Sequence, residues 1–241
     1  MPLRNHHPGD KSIPRAFFGR RKGHKLKPRQ AGLLDVLLPH LALDLTAEPP
    51  ADLRSLFEGS NGVDEVRLEI GFGGGEHLIA EAAQNPRTGF IGGEPFINGM
   101  AKALSLIEQH GLKNIRLHHG DAAELLDWLP PQQLSRVDLM YPDPWPKRRH
   151  WKRRFVQHHT IGSIARILRG RGEFRFATDI PDYAAWTLRH FMNASDFEWT
   201  AECASDWKNP WPGFSGTRYE AKAKREGRAT GGPVLAGASD R

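Results

Sequence analysis

The chain has 241 residues, enough for one large domain with extensions and a sizeable core. Hydrophobic residues make up 39%, and no apolar run nears the ~20 residues of a membrane span, which argues against a membrane protein. The net charge is +6, and a single cysteine, Cys203, excludes an internal disulfide framework and cysteine-rich zinc sites. The N-terminus is basic but has no apolar core of the secretory kind, so the expected compartment is the cytoplasm.

Charge is unevenly spread. Residues 1–30 hold nine Lys or Arg against one acid, residues 31–146 seven against seventeen, and residues 147–241 eighteen against ten. An acidic middle between two basic segments suits a cofactor domain bracketed by segments that contact a polyanion. Six of the twelve histidines fall in adjacent pairs (His6-His7, His118-His119, His158-His159), not at the one-face spacing of a metal site, so no metal is expected.

In chain order, residues 1–30 are rich in Pro, Gly and basic residues without an apolar period and read as a flexible basic arm. AGLLDVLLPHLAL (31–43) reads as a short helix broken at Pro39. VRLEIG (66–71) is a strand entering a glycine loop, and HLIAEAAQ (77–84) has helical spacing. GFIGGE (89–94) is the next strand, followed by a helix over 97–110 closed by Gly111. NIRLHHGD (114–121) and RVDLMYP (136–142) are strands around the short helix AAELLDWL (122–129). A helix at about 153–168, a strand EFRFATD (173–179), a helix opening at Pro181 and a strand FEWTAEC (197–203) complete the series.

Strands alternating with helices predict an α/β fold, a mostly parallel sheet with helices on both faces. Ligands bind such sheets at the carboxyl ends of the strands. Glu69, Glu94, Asp121, Asp143 and Asp179 end five successive strands and are expected to line one rim.

EIGFGGGEHL (69–78) puts glycines where a strand turns into a helix, so a ligand can press on bare backbone at Gly71 and Gly73. A dinucleotide fingerprint needs a third glycine where Glu76 stands, and that acid opposes a pyrophosphate at the helix start. An adenosyl ligand without phosphates fits better, with an acid before the loop meeting its cationic end. Glu94 is placed to accept hydrogen bonds from a ribose diol and Asp121 to reach an adenine amino group.

YPDPWPKRRHWKRR (141–154) follows the fourth strand of the series. Asp143 and Trp145 each precede a proline, which fixes extended backbone and projects both side chains beyond the sheet rim. An acid and an indole so held can grip a flat base by edge and face. Lys147, Arg148, Arg149, Lys152, Arg153 and Arg154 are then expected over nearby phosphates.

On EIGFGGGEHL, GDAAELL, YPDPWPKRRHWKRR, FRFATDIPDYAAW and GTRYEAKAKREGR, across roughly residues 13–228, the chain resembles the bacterial tRNA (guanine-N7-)-methyltransferase family. The resemblance implies a Rossmann-like class I methyltransferase domain over residues 31–228, after the arm of residues 1–30. S-adenosyl-L-methionine would be the cofactor, tRNA the partner and the variable-loop guanine at position 46 the target, for a monomer or homodimer. It also implies that Glu69, Glu94, Asp121 and Asp143 line the cofactor site, with Asp143 catalytic. Lys147, Asp179, Thr217, Arg218, Tyr219 and Glu220 would touch the substrate, with Trp145. Family members finish with an apolar-aromatic strand, whereas residues 229–241 are small and polar, so an irregular tail is expected there. An exocyclic-amine methyltransferase, a nicotinamide oxidoreductase and a non-catalytic RNA-binding module are the alternatives. The absent second consecutive proline, Glu76 and the set of rim acids count against them in turn.

Overall fold

The computed structural model describes residues 15–57, 62–203, 206, 218–227 and 234–237. Seven strands form one sheet: β1 (Glu65–Ile70), β2 (Thr88–Gly93), β3 (Ile115–His118), β4 (Leu134–Met140), β5 (Leu168–Ala177), β6 (Phe197–Trp199) and β7 (Val234–Gly237). Their spatial order is β3-β2-β1-β4-β5-β7-β6. The first five pair in parallel, and β7 runs antiparallel between β5 and β6. The strand order reverses between β1 and β4, and ligands of open α/β sheets bind outside the strand ends at such a point.

The helices are α1 (Pro28–Val36), α2 (Leu38–Leu41), α3 (Glu76–Gln84), α4 (Ile97–His110), α5 (Ala122–Trp128), α6 (His158–Ile167), α7 (Pro181–Met192) and α8 (Arg218–Arg225). They cover both faces of the sheet, each of which carries an apolar cluster. On one face Val66, Leu68 and Ile70 of β1 join Val137 and Leu139 of β4 in a core closed by α5, α6 and α7. On the other, Phe90, Ile115 and Leu117 pack with Leu78, Met100 and Leu104 of α3 and α4. Each such side chain contributes about 1.5–3 kcal/mol on burial.

The alternate residues of β1 and β4 are charged yet buried, under α3. Arg136 donates to Asp138 at 2.8 Å and also to Glu81 of α3, while Arg67 pairs with Glu65 at 2.7 Å and with Glu81 at 3.3 Å. His77 of α3 meets Glu69 at 2.8 Å. Such groups survive burial only because each charge has an opposite neighbour in hydrogen-bonding range.

Four expectations change. The helix read at 31–43 begins earlier, at Pro28, and Pro39 does not break it but lies in the first turn of a separate α2. Of the segment 1–30 read as a flexible arm, residues 1–14 lie outside the described residues, and the chain is tied down from Ala16 on: Ala16 N donates to Asp121 at 3.2 Å, Ile97 N to Arg21 O at 3.0 Å and Gly23 N to Asn98 Oδ1 at 2.7 Å. The helix read at about 153–168 is split into a 3-10 helix, Arg148–Arg153, and α6, whose first turn is capped by Gln157 and Thr160. The tail read as irregular holds β7, whose backbone bonds both β5 and β6.

Candidate active site

The carboxyl ends of β1, β2 and β4 open into a cavity of about 390 Å³, within the size range of small-molecule sites. Gly71, Gly73, Glu94, Asp121, Asp143 and Trp145 all stand on its wall. The sequence expected these six together, and the fold brings them together.

Each is held by its own element. Gly71 follows β1 with φ of +69°, a left-handed conformation that favours glycine, and a Cβ there would meet nothing within 4 Å. Its bare backbone therefore faces open space in the cavity. Glu94, buried after β2, accepts from Gly73 N at 2.6 Å and Phe96 N at 2.8 Å. It clamps the glycine loop to the start of α4. Asp121 caps α5 by accepting from Ala123 N at 3.0 Å. It also accepts from Ala16 N at 3.2 Å and Phe17 N at 3.0 Å.

Those last bonds reveal wall residues the sequence reading missed. Residues 16–20 cross the cavity and line it, with Phe18 edge-on to Trp145 at 6.5 Å. The Arg153 guanidinium lies 5.0 Å from the Trp145 ring and 5.8 Å from that of Phe18, within cation–π range. The adjacent phenylalanines of RAFFGRR were a legible signal, because aromatics amid basic residues are uncommon in a solvated linker.

The proline corner differs from expectation at one point. Trp145 has φ of +43°, not extended backbone, and Tyr141 has φ of +50°. Non-glycine residues in that region store strain that neighbours must hold. For Trp145 those neighbours include Arg153 and His150, the latter edge-on at 5.8 Å. Desolvation by the cavity wall pushes the Asp143 carboxyl above its usual range although the residue retains an open edge. Desolvation likewise raises Tyr141, helped by the negative charges of Glu220 and Asp179, so Tyr141 stays a neutral phenol.

Other expected residues lie off this wall. Glu69 is turned away under α3, where desolvation lowers the His77 pKa but the Glu69 carboxylate outweighs it and lifts it to about 9. Glu69 therefore ties the end of β1 to α3, the two elements that flank the glycine loop. Lys147 is exposed beside the corner, and Asp179 and Glu220 lie near enough to Tyr141 for their charges to act on it. Thr217 lies outside the described residues; Arg218 and Tyr219 open α8. Of the basic run, Arg154 is buried rather than available to a phosphate.

The residues fit an adenosyl sulfonium ligand. Three carboxylates, a bare glycine backbone and a helix start whose Glu76 is paired with Lys102 suit a cationic ligand without phosphates. Among the described residues no group of His, Cys, Asp and Glu could hold a metal ion, and no helix is long and apolar enough to cross a membrane.

Residues 64–231 match the family model described as "Putative methyltransferase". A tRNA (guanine-N(7)-)-methyltransferase of Rhodopseudomonas palustris (strain BisA53) is 64% identical over 213 residues, covering 88% of this chain and 84% of the relative. The protein of that name from Bradyrhizobium diazoefficiens is 59% identical over 228 residues, covering 95% and 96%. Among solved structures, the 16S rRNA methyltransferase KamB superposes with a TM-score of 0.52 at 16% identity, over 80% of this chain and 96% of that one. The [4+2]-cyclase SpnF does so at 0.50 and 16%, over 74% and 76%. A cyclase sharing the sheet shows that the fold alone does not fix the chemistry. The extended identity does more: the chain belongs to the tRNA (guanine-N(7)-)-methyltransferase family, with a Rossmann-like fold and S-adenosylmethionine as cofactor.

Proposed function

We propose that this chain methylates N7 of guanine in tRNA, at the variable-loop guanine at position 46, with Asp143 as the residue that orients the base. The observation that carries the reading is the shared wall: Glu94 and Asp121, suited to an adenosyl group, face the same cavity as Asp143 and Trp145, suited to a purine. S-adenosylmethionine, when bound, supplies an electrophilic methyl group. The residues proposed to hold it are Gly71, Gly73, Glu94, Asp121 and Asp143, with Glu69 acting through His77 and β1.

Guanine N7 carries an in-plane lone pair and no proton at neutral pH, so the chain need not remove one there. Positioning can lower the barrier by ~7–11 kcal/mol, against ~3–5 kcal/mol for general-base help, so orientation dominates. Asp143 accepts hydrogen bonds from guanine N1–H and N2–H and offsets positive charge growing on the ring. Adenine lacks both donors and would leave the carboxylate unpaired, which supplies discrimination. Trp145 offers a face for stacking. Lys147, Arg148, Arg149 and Lys152 are exposed beside the corner and hold phosphates, while Asp179 and Glu220 bound the substrate near Tyr141.

The test is a pair of unmodified tRNAs, one with guanine and one with adenine at position 46, incubated with enzyme and methyl donor, reduced with borohydride and then cleaved with aniline. Cleavage at 46 in the first and none in the second is expected. Cleavage elsewhere with both overturns the assigned position.

A further inference from the structure

We propose that Arg154 is a positioning residue for the Asp143 corner, a role that rests on the reading of Asp143 given above. The last of six basic residues in an RNA-facing run, it carries its charge inward. Its side chain has 0% exposure. Nε donates to Pro144 O at 2.9 Å, and a terminal nitrogen donates to Asp182 in the first turn of α7. The guanidinium carbon lies 4.9 Å from the Trp151 ring and 5.0 Å from those of Tyr183 and Trp186. A planar cation suits such an aromatic box, and an ammonium does not reproduce its fork.

This arrangement joins two parts of the molecule. Pro144 belongs to the corner, whereas Tyr183 and Trp186 belong to α7, whose Tyr183 and Phe191 are anchored in the core. The same helix grips the chain just after Arg154: Phe155 N donates to the Tyr183 hydroxyl at 3.1 Å, and Trp186 Nε1 donates to Val156 O at 2.8 Å. The corner needs such a hold. Asp143 lies between two residues with positive φ, Tyr141 and Trp145, and that backbone relaxes unless its surroundings fix it. The Pro144 carbonyl lies in the link from Asp143 to Trp145, so the Arg154 bond orients the acid that meets the base edge and the indole that meets its face. A buried charge is costly to keep. Here it is matched by Asp182, three ring faces and the one carbonyl that connects the two base-contacting side chains.

Arg154→Met and Arg154→Lys, with Asp182→Asn as a milder variant at a half-exposed site, test this. Melting temperature, cofactor affinity, and single-turnover methyl transfer at saturating tRNA are measured well below the melting point. A displaced corner costs about 100-fold in rate. That loss is expected for Arg154→Met, with partial recovery in Arg154→Lys, a several-fold loss in Asp182→Asn, and cofactor affinity within about threefold throughout. A phosphate-contacting role instead raises the KM for tRNA and leaves the saturated rate intact, and a purely structural role lowers only the melting temperature. Either result overturns the proposal. If Arg154→Met does not fold, an unchanged saturated rate in Asp182→Asn overturns it. Asp143→Asn is run alongside: full activity there sinks the reading of Asp143, whereas an inactive Asp143→Asn with fully active Arg154 variants sinks only the present inference.

Discussion

Glu94→Gln tests whether one carboxylate both builds the glycine loop and receives the cofactor. Glu94 is 5% exposed, and its two oxygens accept separately from Gly73 N at 2.6 Å and Phe96 N at 2.8 Å. Glutamine keeps the shape but has one acceptor oxygen, so an amide NH2 is forced against one of the two backbone donors. A hydrogen bond to a charged group contributes about 1.5–3 kcal/mol, and a buried donor left unpaired costs a further ~1–3 kcal/mol. With partial relaxation the variant loses about 2–4 kcal/mol, or roughly 5–15 °C in melting temperature for a chain of this size. A ribose diol also loses its charged acceptor, which weakens cofactor binding by about 10–100-fold. Thermal melting with and without S-adenosylmethionine, and calorimetric titration, read both effects. A variant that melts within about 1 °C of the parent and binds the cofactor equally well refutes the reasoning.

The remaining predictions concern the pH behaviour and the packing of the site. The His77 pKa is raised from 6.5 to about 9 by the buried carboxylate beside it. Its contribution is therefore fully present below pH 6.5 and lost as pH rises through 9. Denaturant titrations across that range should show the decline, and His77→Gln should flatten it. The Asp143 carboxyl titrates above the 3.8 of an unperturbed aspartate, so the transfer rate should fall on acidification at a higher pH than a free aspartate would dictate. Asp143→Asn should lose most turnover while keeping cofactor affinity within several-fold, as calorimetry and single-turnover assays will show. A Cβ on Gly99 would lie 2.3 Å from Gly73 O, so Gly99→Ala should drive α4 off the glycine loop and weaken cofactor binding about tenfold, measured by calorimetry.

The rim was legible because two regularities coincide in the sequence. Strand and helix periods place residues in the sheet, and acids recur at the strand ends, so Glu94, Asp121 and Asp143 were found without coordinates. Glu69 shows where that logic stops. A strand alternates sides, and the alternate residues of β1 read as a rim or solvent face until Arg136 of β4 and His77 and Glu81 of α3 arrive from distant sequence to bury them. Arg154 fails the reading for the same reason, since a basic run does not reveal that one member is enclosed by Trp186 and Tyr183, some thirty positions on. Trp145 escaped the proline rule because ring contacts outweigh a local backbone bias. Residues 15–27 lack an apolar period, so their attachment shows only through the partners Asp121 and Asn98. Strand β7 is short and contains glycine, and it forms because β5 and β6 offer backbone partners on both sides.

The central claim is that one cavity holds a methyl donor on its acids and presents guanine through Asp143. Its most direct measurement is the identity of the methylated nucleoside after incubation of unmodified tRNA with labelled S-adenosylmethionine and either the parent chain or Asp143→Asn. The parent should yield labelled 7-methylguanosine and the variant little or none. Label in N2-methylguanosine or a methyladenosine, or equal 7-methylguanosine from both, would contradict the account.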